Sequence, residues 1–125
     1  MKTIPLLALA ALAGCAHLIQ FTGAQPDVAA DATFARELDR LDGDVRACYA
    51  KVSVTDAVPL ELAVDEAGAP LAARAAGPLF GTTLGGCLES VAFKANLGQG
   101  AGRRLARATA HLRPAPSGEG LALLR

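Results

Sequence analysis

Leu60-Glu61-Leu62-Ala63-Val64-Asp65-Glu66-Ala67-Gly68 is the stretch that decides the fold. Leu60, Leu62 and Val64 alternate with Glu61, Ala63 and Asp65, the period of a strand buried on one face. Asp65-Glu66-Ala67-Gly68 then closes a hairpin, because glycine takes positive φ without a Cβ penalty. A weaker, Ala-rich return strand is predicted from about Pro70 to Ala75, and Pro59 suits the first position of a strand or an edge. Upstream, Phe34, Leu38, Leu41, Val45, Cys48 and Val52 recur at steps of four and three. That spacing places all six on one face of a helix beginning near Thr33. Arg36, Glu37, Arg40, Asp44 and Lys51 occupy its other face, and Gly43 weakens its middle by about 1 kcal/mol relative to Ala.

Downstream, Gly77-Pro78 breaks the chain, and a second helix is predicted from about Thr82 to Ala92 with Leu84, Cys87, Leu88 and Val91 on one face. The adjacent Gly85 and Gly86 point to the close approach of another backbone, expected where the two helices meet. Lys94 to Gly102 is a glycine-rich loop. From Arg103 to Arg113, Ala106, Ala108, Ala110 and Leu112 alternate with Arg107, Thr109, His111 and Arg113, which predicts a strand with one apolar and one basic face. The expected fold is α+β: two helices packed on a three-stranded antiparallel sheet.

The ends of the chain read differently. Met1-Lys2-Thr3, the apolar run from Ile4 to Ala13 and small residues before Cys15 have the form of a secretory signal, too short to span a bilayer. Leu12-Ala13-Gly14-Cys15 looks like a lipobox, at which bacteria attach diacylglyceryl to the cysteine thiol and cleave before it. The alternative is an ordinary signal peptide that happens to contain a cysteine. The lipobox reading makes 1–14 a signal peptide, 15–32 a lipidated N-terminus and tether, 33–113 the domain and 114–125 a mobile tail. Ala16 after the cysteine is not Asp; the enterobacterial sorting rule would then imply an outer-membrane anchor facing the periplasm.

Loss of Lys2 leaves 11 basic side chains against 12 acidic ones, a balance that argues against general nucleic-acid binding. The distribution is uneven: ten acids lie at or before Glu66, whereas six basic residues and only Glu119 follow from Lys94 onward. Arg103, Arg104, Arg107 and Arg113 are therefore candidates for an anion-contact surface toward cell-wall polymer or lipopolysaccharide, the plainer reading being a solvated strand face. The chain has no tryptophan, and alanine dominates its apolar content, so its core should be thin and in need of a staple. With Cys15 lipidated, Cys48 and Cys87 remain, an even count in an oxidising compartment. A Cys48–Cys87 disulfide follows; two buried free thiols or a redox-active pair are the alternatives, although reactive pairs commonly sit in a Cys-x-x-Cys turn.

Catalytic constellations are poorly represented. His17 lies beside the lipidation site and His111 on an exposed strand face, and the paired carboxylates Asp42/Asp44 and Asp65/Glu66 read as solvated charges. A zinc site needs three or four ligands, which would require Cys48, Cys87 and His111 to converge. Gly98-Gln99-Gly100-Ala101-Gly102 precedes a strand, the wrong context for a phosphate loop. No metal, cofactor or enzymatic role is expected.

Val45-Arg46-Ala47-Cys48-Tyr49, the Leu60–Gly68 hairpin and Gly86-Cys87-Leu88-Glu89-Ser90-Val91-Ala92-Phe93 occur in a characteristic order. Together they resemble the C-terminal domain family of myxobacterial AgmX/PglI-type proteins, itself similar to the TonB C-terminal fold. The resemblance covers residues 34 to about 113; it departs at Phe93-Lys94, where the family has an aromatic-Pro pair, and in a less aromatic last strand. It implies a non-catalytic protein-interaction or scaffolding module, reached through a sheet edge or hairpin. The expected partners are a membrane, through the lipid, and an envelope protein. The alternative function is a thiol-redox or metal-handling lipoprotein acting through Cys48 and Cys87.

Overall fold

The computed structural model describes residues 21–113. The expected signal (1–14), the lipidation site Cys15 and the expected tail (114–125) lie outside the described residues. In chain order the elements are β1 (Gln25–Pro26), α1 (Val28–Arg40), α2 (Asp42–Tyr49), β2 (Val58–Val64), β3 (Pro70–Ala75), a 3-10 turn (Gly77–Leu79), α3 (Thr83–Ala92) and β4 (Arg104–Ala110).

The deciding stretch forms the expected hairpin. β2 and β3 pair antiparallel with Leu60 opposite Ala75 and Ala63 opposite Ala72. Asp65 Oδ1 accepts hydrogen bonds from the Ala67 and Ala69 amides, both at 2.9 Å, which shapes the turn. Gly68 has φ +86°, and a Cβ there would come within 2.3 Å of the Gly98 carbonyl oxygen. The turn therefore needs glycine for its backbone and for its contact with the glycine-rich loop. Val64 lies opposite Pro70, so the register skips Leu71, which turns toward the opposite face of the sheet and packs beside Ala63.

The sheet differs from the expected three-stranded antiparallel one. Its order is β1-β4-β2-β3, and β1 lies parallel to β4, with Gln25 opposite Arg104. The fourth strand comes from the segment expected to be a tether. Ala24 buries itself against Ala63 and Leu105, which draws the chain along the β4 edge. The first helix likewise begins at Val28, not near Thr33, because Asp27 caps it: Oδ1 accepts from Ala29 N at 2.9 Å and Ala30 N at 3.4 Å. β4 stops at Ala110, before the expected Arg113, where its partner β2 runs out at Val58.

The expected single long helix is two. Leu41, with ψ +18°, ends α1, and Asp42-Gly43-Asp44 opens α2 with two acids in its first turn, favourable at a helix N-terminus. The apolar stripe survives the bend: Phe34, Leu38, Leu41, Val45 and Cys48 are all buried, and Val52 packs partly against them. These side chains meet Val58, Leu60, Leu62 and Val64 of β2 and Leu84, Leu88 and Val91 of α3 in one core. Burial of such side chains stabilises by roughly 1.5–3 kcal/mol each. Tyr49 closes one end by donating from its hydroxyl to the carbonyls of Asp56 (2.6 Å) and Ala110 (3.4 Å). Burial, with the nearby Asp56 charge, raises its pKa.

The Cys48–Cys87 bridge joins α2 to α3, two residues 39 apart in sequence whose Cα atoms lie 5.7 Å apart. The architecture is α+β, three α-helices and a four-stranded mixed sheet among the described residues, stapled by one disulfide. The Gly85-Gly86 expectation needs correction. A Cβ on Gly85 would lie 2.2 Å from the Leu79 carbonyl oxygen, whereas one on Gly86 would meet nothing within 4 Å. The close approach is made by the 3-10 turn, not by the other helix, and only one of the two glycines is needed.

Candidate interaction surface

All three helices pack on the face of the sheet formed by the Leu60 and Ala106 parity. The opposite face carries Glu61, Ala63, Ala72, Arg74, Leu105 and Arg107, placed together by the cross-strand register. Among the described residues, Phe21, Ala24 and Leu71 pack on Ala63 and Leu105 in a small second cluster, which buries this part of the face. Beyond that cluster the face is crossed by a polar row. Glu61 on β2 stands between Arg74 on β3 and Arg107 on β4; Arg74 Nε reaches Glu61 Oε1 at 2.9 Å, and Arg107 Nε reaches Oε2 at 3.2 Å. The Arg74 Nη2 group also donates to Oε1. Phe21 lies over the Arg74 guanidinium, with 4.3 Å from its carbon to the ring centroid.

The row is one carboxylate between two cations. Burial pulls the Glu61 pKa upward, but the hydrogen bonds from Arg74 and Arg107, together with their charges, outweigh it and hold the carboxyl below its ordinary value. Phe80 is 61% exposed and borders the same depression as Glu61 and Arg74, which supplies an aromatic beside the charges.

The four arginines singled out in the sequence do not form one surface. Arg107 belongs to the row, and Arg113 pairs with Asp39 on α1. Arg103 is exposed near the hairpin turn, bordering a depression with Asp65 and Glu66. Arg104 is a correction: it is only 7% exposed and cannot serve as a surface contact. Its Nη2 donates to the Gly98 carbonyl at 2.5 Å, and the Gly100 backbone lies against its guanidinium so closely that a Cβ would fall 2.5 Å from Cζ. Arg104 thus gathers the glycine-rich loop. Its parity held the clue, since it shares the strand face of Ala106, Ala108 and Ala110.

The sheet edges are also occupied. Ala76 N donates to Pro59 across the hairpin, so the neighbouring Ala75 N–H points outward, where it donates to Glu89 Oε2 on α3 at 2.8 Å. At the other edge, Asp27 N donates to the Leu105 carbonyl, and the Arg107 N–H donates to Asp31 Oδ1 on α1 at 2.7 Å. One helix carboxylate thus satisfies an outward amide on each side, which blunts both edges toward strand addition. The sequence offers no signal for this pairing, because both carboxylates come from distant positions.

The bridge itself borders a shallow cleft with Lys51 and Ser90. Cys48 is 1% exposed, Cys87 is partly exposed, and Lys51 Nζ lies 3.9 Å from Cys87 Sγ. His111 is exposed just beyond β4 and borders a different depression, with Asp39, Asp42 and Arg113. Among the described residues no three His, Cys, Asp or Glu side chains are grouped so as to hold a metal ion. No helix among them is long and apolar enough to cross a membrane. No family model, curated protein or solved structure matches this chain.

Proposed function

We propose that this chain is an envelope lipoprotein, anchored through a lipid on Cys15 at the periplasmic face of the outer membrane, whose domain is a non-catalytic protein-interaction or scaffolding module. The domain is read as AgmX/PglI C-terminal-like, and hence TonB C-terminal-like, on the order helix, strand, hairpin, strand, helix, strand with one cysteine in each of two helices. The observation that carries the functional reading is the one-sided packing. A disulfide-stapled helix layer makes one face of the sheet rigid and exposes Arg36 and Phe93 on its outside, and the other face is shallow and crossed by mutually paired charges. Such a frame presents surface rather than enclosing a substrate.

The test is photo-crosslinking in intact cells, with a photoreactive residue placed in turn on exposed positions such as Arg36, Phe80 and Phe93. A reproducible protein adduct from one patch is the expected result; adducts no stronger than an unmodified control from every position would overturn the reading. Intact mass of the membrane-extracted chain tests the anchor separately, by the presence of diacylglyceryl on Cys15.

One observation favours the thiol-redox alternative: the partly exposed Cys87 sulfur beside Lys51, an arrangement that stabilises a thiolate. The geometry also opposes it. An incoming thiolate reaches only the partly exposed Cys87, and attack there expels the thiolate of Cys48, which is 1% exposed and part of the apolar core. Rapid, reversible reduction of the folded protein by a mild dithiol would favour the redox reading; resistance until denaturant is added would favour the staple.

A further inference from the structure

We infer that the open face of the sheet, with Arg74, Glu61 and Arg107 at its centre, rests on the anionic headgroup layer of the membrane that holds the chain. This inference rests on the lipid anchor at Cys15 proposed above.

The first argument is reach. Phe21 sits directly over Arg74 on this face. Six peptide links separate Phe21 from Cys15. Even fully extended they span only about 20 Å. A lipid on Cys15 therefore holds this face within about 20 Å of the bilayer.

The second argument is charge. The row itself holds two guanidiniums against the one ionised Glu61 carboxylate, a net positive charge, while Asp31 accepts from the Arg107 backbone at the sheet edge. Arg107 keeps 57% of its side chain exposed, enough to reach a phosphate without leaving Glu61. The third is composition. Phe21 and the exposed Phe80 lie beside Arg74, and aromatic rings beside a guanidinium suit the boundary between headgroups and acyl chains.

The energetic demand is small because the anchor has already made the contact intramolecular. A basic residue near an anionic surface changes partition by about fivefold, which is negligible for free protein but sufficient to orient a tethered one. An envelope partner then has the helix layer and the hairpin end available to it, not the open face.

The experiment uses the mature lipidated chain reconstituted into phosphatidylcholine vesicles, with or without phosphatidylglycerol, carrying acyl-brominated lipids as quenchers. The protein has no tryptophan, so Phe80→Trp supplies a single reporter beside the row. Indole fluorescence should be quenched in the anionic vesicles and much less in the neutral ones, and added salt should reverse the effect. Arg107→Gln should lower the ratio of docked to undocked protein about fivefold, whereas Arg107→Lys should retain it. Arg36→Gln, on the helix layer, should change nothing. Equal quenching in both vesicle types, or none in either with diacylglyceryl present on Cys15, overturns the docking while leaving the anchor standing. Self-quenching that rises with protein density in neutral vesicles would assign the face to a second copy instead. A mature chain without lipid on Cys15 removes both the anchor and the docking.

Discussion

The two faces of the sheet are built by different physics. The helix-covered face is dry, packed with Phe34, Leu60, Leu62, Leu84 and Leu88, all at or below 1% exposure. The open face has a small apolar cluster around Ala63 and Leu105 and then a line of hydrogen-bonded charges. The first face holds the fold by area removed from water, and the second holds its strands in register with little apolar burial. The same β2 residues alternate between the two tasks, so a single seven-residue strand separates stability from surface.

The largest expected effect lies in the covered face. Phe34→Ala should cost about 4–5 kcal/mol, the upper part of the range for a fully buried aromatic, measured by urea unfolding. A loss below about 1 kcal/mol would mean that this core does not carry the fold. Next, replacing Cys48 and Cys87 together by serine should cost up to about 4 kcal/mol, read as a lower midpoint against the oxidised protein. The glycine pair gives a test of opposite signs. Gly85→Ala should destabilise by about 1–3 kcal/mol, because the Leu79 backbone must shift. Gly86→Ala has open space and should stabilise by up to about 1 kcal/mol.

On the open face, Leu105→Ala should cost only about 2 kcal/mol, at the low end for leucine, since its cluster is small and close to solvent. The smallest effect is electrostatic. Glu61 and Glu37 both have folded pKa values below the ordinary 4.5; for Glu37 the hydrogen bond from Arg40 leads, against burial and with help from the Asn96 amide. Depressed carboxylates give stability that is complete above the ordinary carboxylate range and lost as pH falls through the folded values. The stability gap between wild type and Glu61→Gln should therefore close below pH about 4.5. A gap that stays constant through that range would show that the row does not depend on the Glu61 charge.

Sequence patterning carried most of the frame. The alternation at Leu60–Val64, the hairpin and the four-three apolar stripe place β2, β3 and the helix faces, and cysteine count with compartment anticipates the bridge that the structure contains. What escaped was set by contacts far apart in sequence. β1 has two residues and no period of its own; it exists because β4 offers an edge and Ala63 a place for Ala24. The helix bend at Leu41 was hidden because the apolar spacing runs through it unchanged. Among the candidate site residues, strand parity placed Arg107 correctly on the open face and could have withdrawn Arg104. Glu61 and Arg74 emerge only when three strands are aligned, since nothing local marks them as a set.

The parallel pairing of β1 with β4 also determines how the domain answers a pull from its N-terminal side. Tension arriving at Phe21 first loads its own contacts with Arg74 and the Ala63 and Leu105 cluster, and then the bonds from Gln25 N to Arg103 O (3.2 Å) and from Asp27 N to Leu105 O (3.3 Å) at the rim of the sheet. These release first and leave α2 and α3 covalently joined, so the N-terminal segment lengthens while the core keeps its shape. A domain of this construction holds extensible slack in its outermost strand, so its N-terminal end can move away under load while the disulfide-joined core stays folded.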